Sequence, residues 1–191
     1  MSHRDMQYSE TPSPPTQTPK LGDRIRSVCW RVFFLCLSGI VVADQISKQV
    51  VLQNFSEYQS QPIIPGLFNL VLVFNRGAAF GIMSGLSDSY RHLALMTTTL
   101  LALGAVAYFL LHDFYRDRVA QGALGLIVGG AVGNIIDRFR FGAVVDFLDF
   151  YLGNSHWPAF NVADSAICVG VAVLLFRRSQ SVALPSVSSK L

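Results

Sequence analysis

The chain has 191 residues, 51% of them hydrophobic, with a mean hydropathy of +0.42 and a formal net charge of only +3. Such an apolar sequence does not suit most soluble domains of its length and reads as one compact membrane unit. Its basic residues form no stripe interleaved with aromatics, which argues against nucleic acid as a partner.

Residues 1–22 gather Pro12, Pro14, Pro15 and Pro19 among Ser, Thr and Gln, a composition expected to form a mobile tail. The first apolar segment covers residues 27–46, with a core at 32–43 that is short for a full span. It is similar to a signal-peptide core, but its flanks, Arg31 and Asp44-Gln45-Ile46-Ser47-Lys48, offer no small-residue cleavage site followed by a polar mature chain. It is therefore taken as a retained transmembrane helix with a polar outer end. Residues 49–90 are too polar to cross, and Pro62, Pro65 and Gly66 punctuate them. Phe68, Leu70, Leu72 and Phe74 alternate at strand period, so a small sheet resting at the membrane interface is expected, followed by the small-residue stretch from Asn75 to Gly81.

Residues 93–111 carry no charge and form the clearest predicted transmembrane helix; residues 112–118 are a tight charged connector. The third span, 119–136, places Gly125, Gly129 and Gly133 on one stripe, for which close helix packing is a sufficient reason. Residues 137–158 return to the surface as an aromatic, partly extended connection. The fourth span, 159–176, is expected to stop at Arg177-Arg178, ahead of a Ser-rich tail. The predicted organisation is thus a cytoplasmic tail (1–22), one four-helix membrane domain (23–178) and a flexible cytoplasmic tail (179–191).

Lys20, Arg24, Arg26, Arg31, Arg116, Arg118, Arg177 and Arg178 flank the spans on one side, against Lys48, Arg76, Arg91, Arg138 and Arg140 on the other. That bias puts both termini in the cytoplasm. The polar features then converge on the opposite face.

Few nucleophiles are available there. Ser47 and Lys48 are adjacent and point in different directions on a helix, and the cysteines, Cys29, Cys36 and Cys168, sit in apolar runs as packing residues without zinc spacing. What remains is a set of aspartates at one depth: Asp44, Asp137, Asp146, Asp149 and Asp164. Carboxylates at an apolar boundary are costly and mark candidate functional sites. Asp44 can pair with Lys48 at i+4 and Asp137 precedes Arg138, which favours structural roles for both. Asp146 and Asp164 have no local cation, and two such carboxyls brought together share a proton and can act as general base and general acid. On residue pattern alone, Asp149 rivals Asp146.

Five motifs occur in order: Asp44 to Lys48; Asn75-Arg76-Gly77-Ala78-Ala79-Phe80; Gly129 to Arg138, containing Gly133-Asn134-Ile135-Ile136-Asp137; Val144-Val145-Asp146-Phe147; and Phe160-Asn161-Val162-Ala163-Asp164 through Ile167. Together, over residues 28–176, they resemble lipoprotein signal peptidase, or signal peptidase II. The resemblance implies a mainly α membrane protein of four transmembrane helices with a small extracytoplasmic β-rich cradle. It also implies an inner-membrane aspartyl endopeptidase that removes the signal peptide of diacylglyceryl-modified bacterial prolipoproteins just before the lipidated cysteine. Carried onto this sequence, the resemblance makes Asp146 and Asp164 the catalytic pair. Asn75, Arg138 and Asn161 match substrate-site positions, and Asp44, Lys48, Asn134 and Asp137 match supporting polar positions. It implies no metal or cofactor, a monomer, and prolipoprotein and membrane-lipid partners. A transporter or a lipid-binding membrane protein with polar helix ends is the alternative. A transporter, however, places its acids near mid-span, and a scaffold needs no unpaired carboxylates.

Overall fold

The structure is a computed structural model that describes residues 19–77 and 88–182. The small-residue stretch beyond Gly77, most of the N-terminal tail and the Ser-rich C-terminal stretch lie outside the described residues. The elements in order are α1 (Leu21–Ser27), α2 (Trp30–Asn54), β1 (Ser60–Ile64), β2 (Phe68–Asn75), α3 (Asp88–His112), α4 (Arg118–Phe141), β3 (Val144–Leu152), β4 (Ser155–His156) and α5 (Val162–Val182). The fold is mainly helical with one small antiparallel sheet, ordered β1-β2-β3-β4.

α4 is the spine, and α2 and α5 make the most extensive packing against it. Glycines allow that closeness on two sides. A Cβ on Gly129 would stand 2.7 Å from the Leu37 carbonyl oxygen of α2, and one on Gly130 would collide with the Ala163 carbonyl of α5. The predicted glycine stripe is therefore a packing device, and it extends to a second face of α4. Asp117 caps α4 by accepting from the backbone N–H groups of Val119 (3.0 Å) and Ala120 (3.1 Å). Gly142 closes the other end in the left-handed region at φ 68°, its N–H returning to the Arg138 carbonyl.

Two apolar clusters lie at opposite ends of this spine. One joins Val28 and Phe33 to Val106, Leu110, Phe114 and Leu124. The other seats Leu72, Val145 and Phe147 of the sheet on Val51 of α2. Buried Gln121 ties the first end together, accepting from Cys29 N at 2.9 Å and donating to the Phe114 carbonyl at 3.1 Å.

α2 and α4 are each long and apolar enough to cross a membrane. At 1.5 Å per residue each reaches about 36 Å, against a hydrocarbon core of about 30 Å. The described part of α3 is apolar over the shorter stretch Thr97–His112. Outward-facing side chains on α2, α3 and α5 include Leu35, Leu101 and Phe176, each about seven-tenths exposed. Hydrocarbon suits such faces better than water does.

Several predicted boundaries move. α2 continues eight residues past 46, because Lys48 is neutralised within the protein and Val51 is buried, so neither ends the helix. α4 runs to Phe141, and Arg177-Arg178 do not stop α5, which reaches Val182. The reason at Arg177 is its ion pair with Asp117, 2.6 Å away. α1 begins at Leu21, inside the segment expected to be a tail. The strand predicted from Phe68 is present, but a bulge between Leu70 and Val73 breaks its alternation, and Val71 and Leu72 are both buried.

Candidate active site

Asp146 lies on β3, which leaves α4 through the Gly142 turn and pairs with β2 so that Val73 faces Asp146 and Asn75 faces Val144. Asp164 lies in the first turn of α5, where a helix N-terminus favours a carboxylate. Asn161, just before that helix, joins the two. Its side-chain nitrogen donates to Asp146 Oδ1 at 2.7 Å, its Oδ1 accepts from Asp164 N at 2.9 Å, and its own N–H donates to Asp164 Oδ2 at 3.3 Å. The last two bonds form a reciprocal capping box, so the local fold of the helix start aims Asp164.

The remaining acceptor positions are also held by amides. Asn75 donates to Asp146 Oδ2 at 3.0 Å, while its own Oδ1 accepts from Gly77 N at 3.0 Å. Asn134, on α4, donates to Asp164 Oδ1 at 2.8 Å. Neither acid has an ion pair among the described residues. Burial pushes the Asp146 carboxyl from its ordinary 3.8 up to about 7. The neighbouring Asp164 charge pushes the same way; hydrogen bonds from Asn75 and Asn161 and the charge of Lys48 oppose it.

A second layer sits below. Lys48 is buried and reaches Asp44 at 2.8 Å, Asp137 at 2.7 Å and Asn134 Oδ1 at 3.1 Å. Each carboxylate also accepts a backbone N–H from an element that carries one of the two acids: Asp44 from Ala163 at 3.0 Å, and Asp137 from Val145 at 3.1 Å. The lysine cluster thus pins the residues next to Asp146 and Asp164. Arg138 is half-buried, donates to the Asn134 carbonyl at 3.4 Å, and stands in the field of Asp164, Asp146 and Asp137.

All nine predicted site residues therefore meet in one place. The predicted Asp44–Lys48 pair is present. Asp137, expected to go with Arg138, instead pairs with Lys48, because the Lys48 ammonium lies between the two acids. Asp149 is engaged elsewhere, accepting from Asn69 at 2.8 Å and lying 2.9 Å from His156 Nδ1. Gln45 has a part that its motif alone did not assign: it donates to Asp137 at 3.0 Å, Asp44 at 3.2 Å and the Gly133 carbonyl at 3.3 Å. The readable signal was an amide beside an acid at the end of an apolar run.

The family model described as signal peptidase (SPase) II matches residues 36–179. The chain belongs to the signal peptidase II family. Among curated family members, the lipoprotein signal peptidase of Geobacter metallireducens is 46% identical over 145 residues, covering 76% of this chain and 88% of that protein. The one from Syntrophus aciditrophicus is 42% identical over 145 residues, covering 75% and 90%. The one from Cupriavidus taiwanensis is 40% identical over 167 residues, covering 87% and 92%. Two solved bacterial membrane enzymes, determined by the in meso method at 1.9 and 2.3 Å, share the fold with TM-scores of 0.68 and 0.70. They are 32% and 30% identical to this signal peptidase II chain, covering 79% and 82% of it and 94% and 92% of their own lengths.

Proposed function

We propose that this chain is an aspartyl endopeptidase of the bacterial inner membrane that cleaves diacylglyceryl-modified prolipoproteins just before the lipidated cysteine. The carrying observation is the pair Asp146 and Asp164, two carboxyls that form no ion pair among the described residues, bridged by Asn161. Four spans within a single peptidase domain, residues 23–178, with both termini cytoplasmic and the dyad facing the periplasm, would set the carboxyls at headgroup depth. That is the depth of a lipidated cysteine following an apolar signal helix.

In this reading the dyad holds one proton. The ionised carboxyl takes a proton from water as the water oxygen bonds to the scissile carbonyl carbon, and the protonated carboxyl gives its proton to the carbonyl oxygen. On collapse of the tetrahedral intermediate the C–N bond breaks as the newly protonated carboxyl gives its proton to the leaving nitrogen, while the other carboxyl takes a proton from a hydroxyl of the intermediate, which restores the dyad. The raised pKa of Asp146 supports its holding the shared proton near neutral pH. Asn75 and Asn161 orient Asp146 and contact substrate, and Arg138 offers its guanidinium to a substrate carbonyl or lipid phosphate. Lys48, Asp44, Asp137 and Asn134 hold the geometry. The enzyme works as a monomer, on substrates drawn from the surrounding lipid.

The test is cleavage of a synthetic prolipoprotein peptide by the purified chain in a bilayer-like environment. Cleavage before the cysteine only when the peptide is diacylglyceryl-modified, lost in Asp146→Asn and Asp164→Asn and kept in Asp149→Asn, supports the reading. Cleavage by Asp146→Asn at the parental rate overturns the dyad. No cleavage by the intact chain favours a transport or lipid-binding role.

A further inference from the structure

Two cavities meet beside the half of α4 that begins with Arg118. About 28 Å of helix rise separates Arg118 from Asp137. The first cavity is an apolar groove of about 330 Å³ between α3, α4 and α5, lined by Val106, Phe109, Leu124 and Leu174, which runs along α5 from Ile167, one helical turn from Asp164, to Arg178. The second is a polar cup of about 520 Å³ at the α3–α4 turn, lined by Arg116, Arg118 and Arg177 with Asp113 and Asp117. Phe114 lines both, so groove and cup are neighbours at that side chain.

The charges of the cup are unevenly spent. Asp117 is used twice, as the cap of α4 and as the partner of Arg177, and Asp113 lies 3.0 Å from His112. Arg116 rests over the Tyr115 ring, and Arg24 of α1 approaches the same ring at 5.6 Å. Among the described residues neither Arg118 nor Arg178 is paired with an acid, and both are exposed. An apolar slot that ends beside unspent guanidinium groups matches an acyl chain joined to a phosphate.

We infer that this groove and cup form a site for one anionic phospholipid of the cytoplasmic leaflet, with an acyl chain along Leu124 and Leu174 and its phosphodiester on Arg118 and Arg178. The inference rests on the membrane orientation of the reading above, not on its peptidase chemistry. A signal helix is the competing occupant of the slot. Its basic leading segment would, however, meet like charge at the cup, whereas an anionic headgroup meets opposite charge.

The purified chain is released from micelles carrying phosphatidylglycerol and phosphatidylcholine of matched chains, and retained lipid is read by native mass spectrometry. Preferential retention of one phosphatidylglycerol is expected, with the preference falling about fivefold for each of Arg118→Gln and Arg178→Gln. Leu174→Trp fills the groove and is expected to release both lipids. Wild-type cleavage of the lipidated peptide by all three variants shows that each is folded. Equal retention of the two lipids overturns the inference, as does an unchanged preference in the double arginine variant. So does competition by inorganic phosphate alone, which needs no acyl slot. A photoreactive side chain at Ala105 that crosslinks the substrate's signal segment in place of lipid also overturns it. Lipid retention is read without turnover, so it stands or falls separately from peptidase activity.

Discussion

Replacing Asn161 by Ala removes the one side chain among the described residues that hydrogen-bonds to both acidic residues. The Asp146 carboxyl loses its 2.7 Å donor, and the backbone N–H of Asp164 loses its 2.9 Å acceptor. A hydrogen bond to a charged group is worth about 1.5–3 kcal/mol, so kcat/KM for a lipidated peptide is expected to fall about ten- to hundredfold. The pH profile gives the sharper readout. Asn161 donates to the ionised form of Asp146 and holds its pKa down; without that bond the carboxyl keeps its proton to higher pH. If Asp146 supplies the acid, the alkaline limb, near pH 7 in the parent, moves upward in the variant. The assay is initial-rate cleavage in micelles across the pH range, with peptide concentration varied at each point. A loss of equal size at every pH would show that Asn161 merely supports the fold, and parental kcat/KM would refute the bridging role altogether.

Lys48→Met leaves Asp44 and Asp137 buried without their cation, and breaking a buried pair costs about 3–5 kcal/mol. A marked drop in the half-inactivation temperature in micelles is expected, largely recovered in the Lys48→Met/Asp44→Asn/Asp137→Asn variant; no recovery would mean that the lysine acts by packing alone. Asp146→Asn probes stability with a defined sign. The folded state holds a proton on Asp146 that the unfolded chain has lost between the ordinary 3.8 and about 7, so this group lowers stability as pH rises through that window. The Asn variant is therefore expected to melt above the parent at pH 8 and no higher than it at pH 4, and a variant less stable than the parent at pH 8 contradicts the burial of that carboxyl.

Local pattern made some of this site readable and long-range pairing hid the rest. Asp44 and Lys48 are one helical turn apart, and their pairing follows from spacing. Asp137 and Lys48 lie far apart in sequence and on different helices, and nothing in the residues around Asp137 competes visibly with adjacent Arg138 as its partner. The choice between Asp146 and Asp149 was not open to periodicity, since both are buried in β3. Their partners separate them: asparagines for Asp146, and Asn69 with His156 for Asp149. Charge misled the reading of helix ends for one physical reason. By pattern Lys48 and Arg177 are polar terminators, yet each is neutralised by an acid from another element, and a neutralised cation does not stop a helix.

The reciprocal box between Asn161 and Asp164 has a consequence for biogenesis. Asp146 precedes it in the chain, and its partner acid is set in place only when α5 has been made and has begun to wind. A nascent chain that has emerged only through β3 carries one acid and no bridge. If the two acids are the catalytic pair proposed above, peptide-bond hydrolysis is withheld until the last helix joins the spine, and apolar segments inserted beside it are spared a half-built protease.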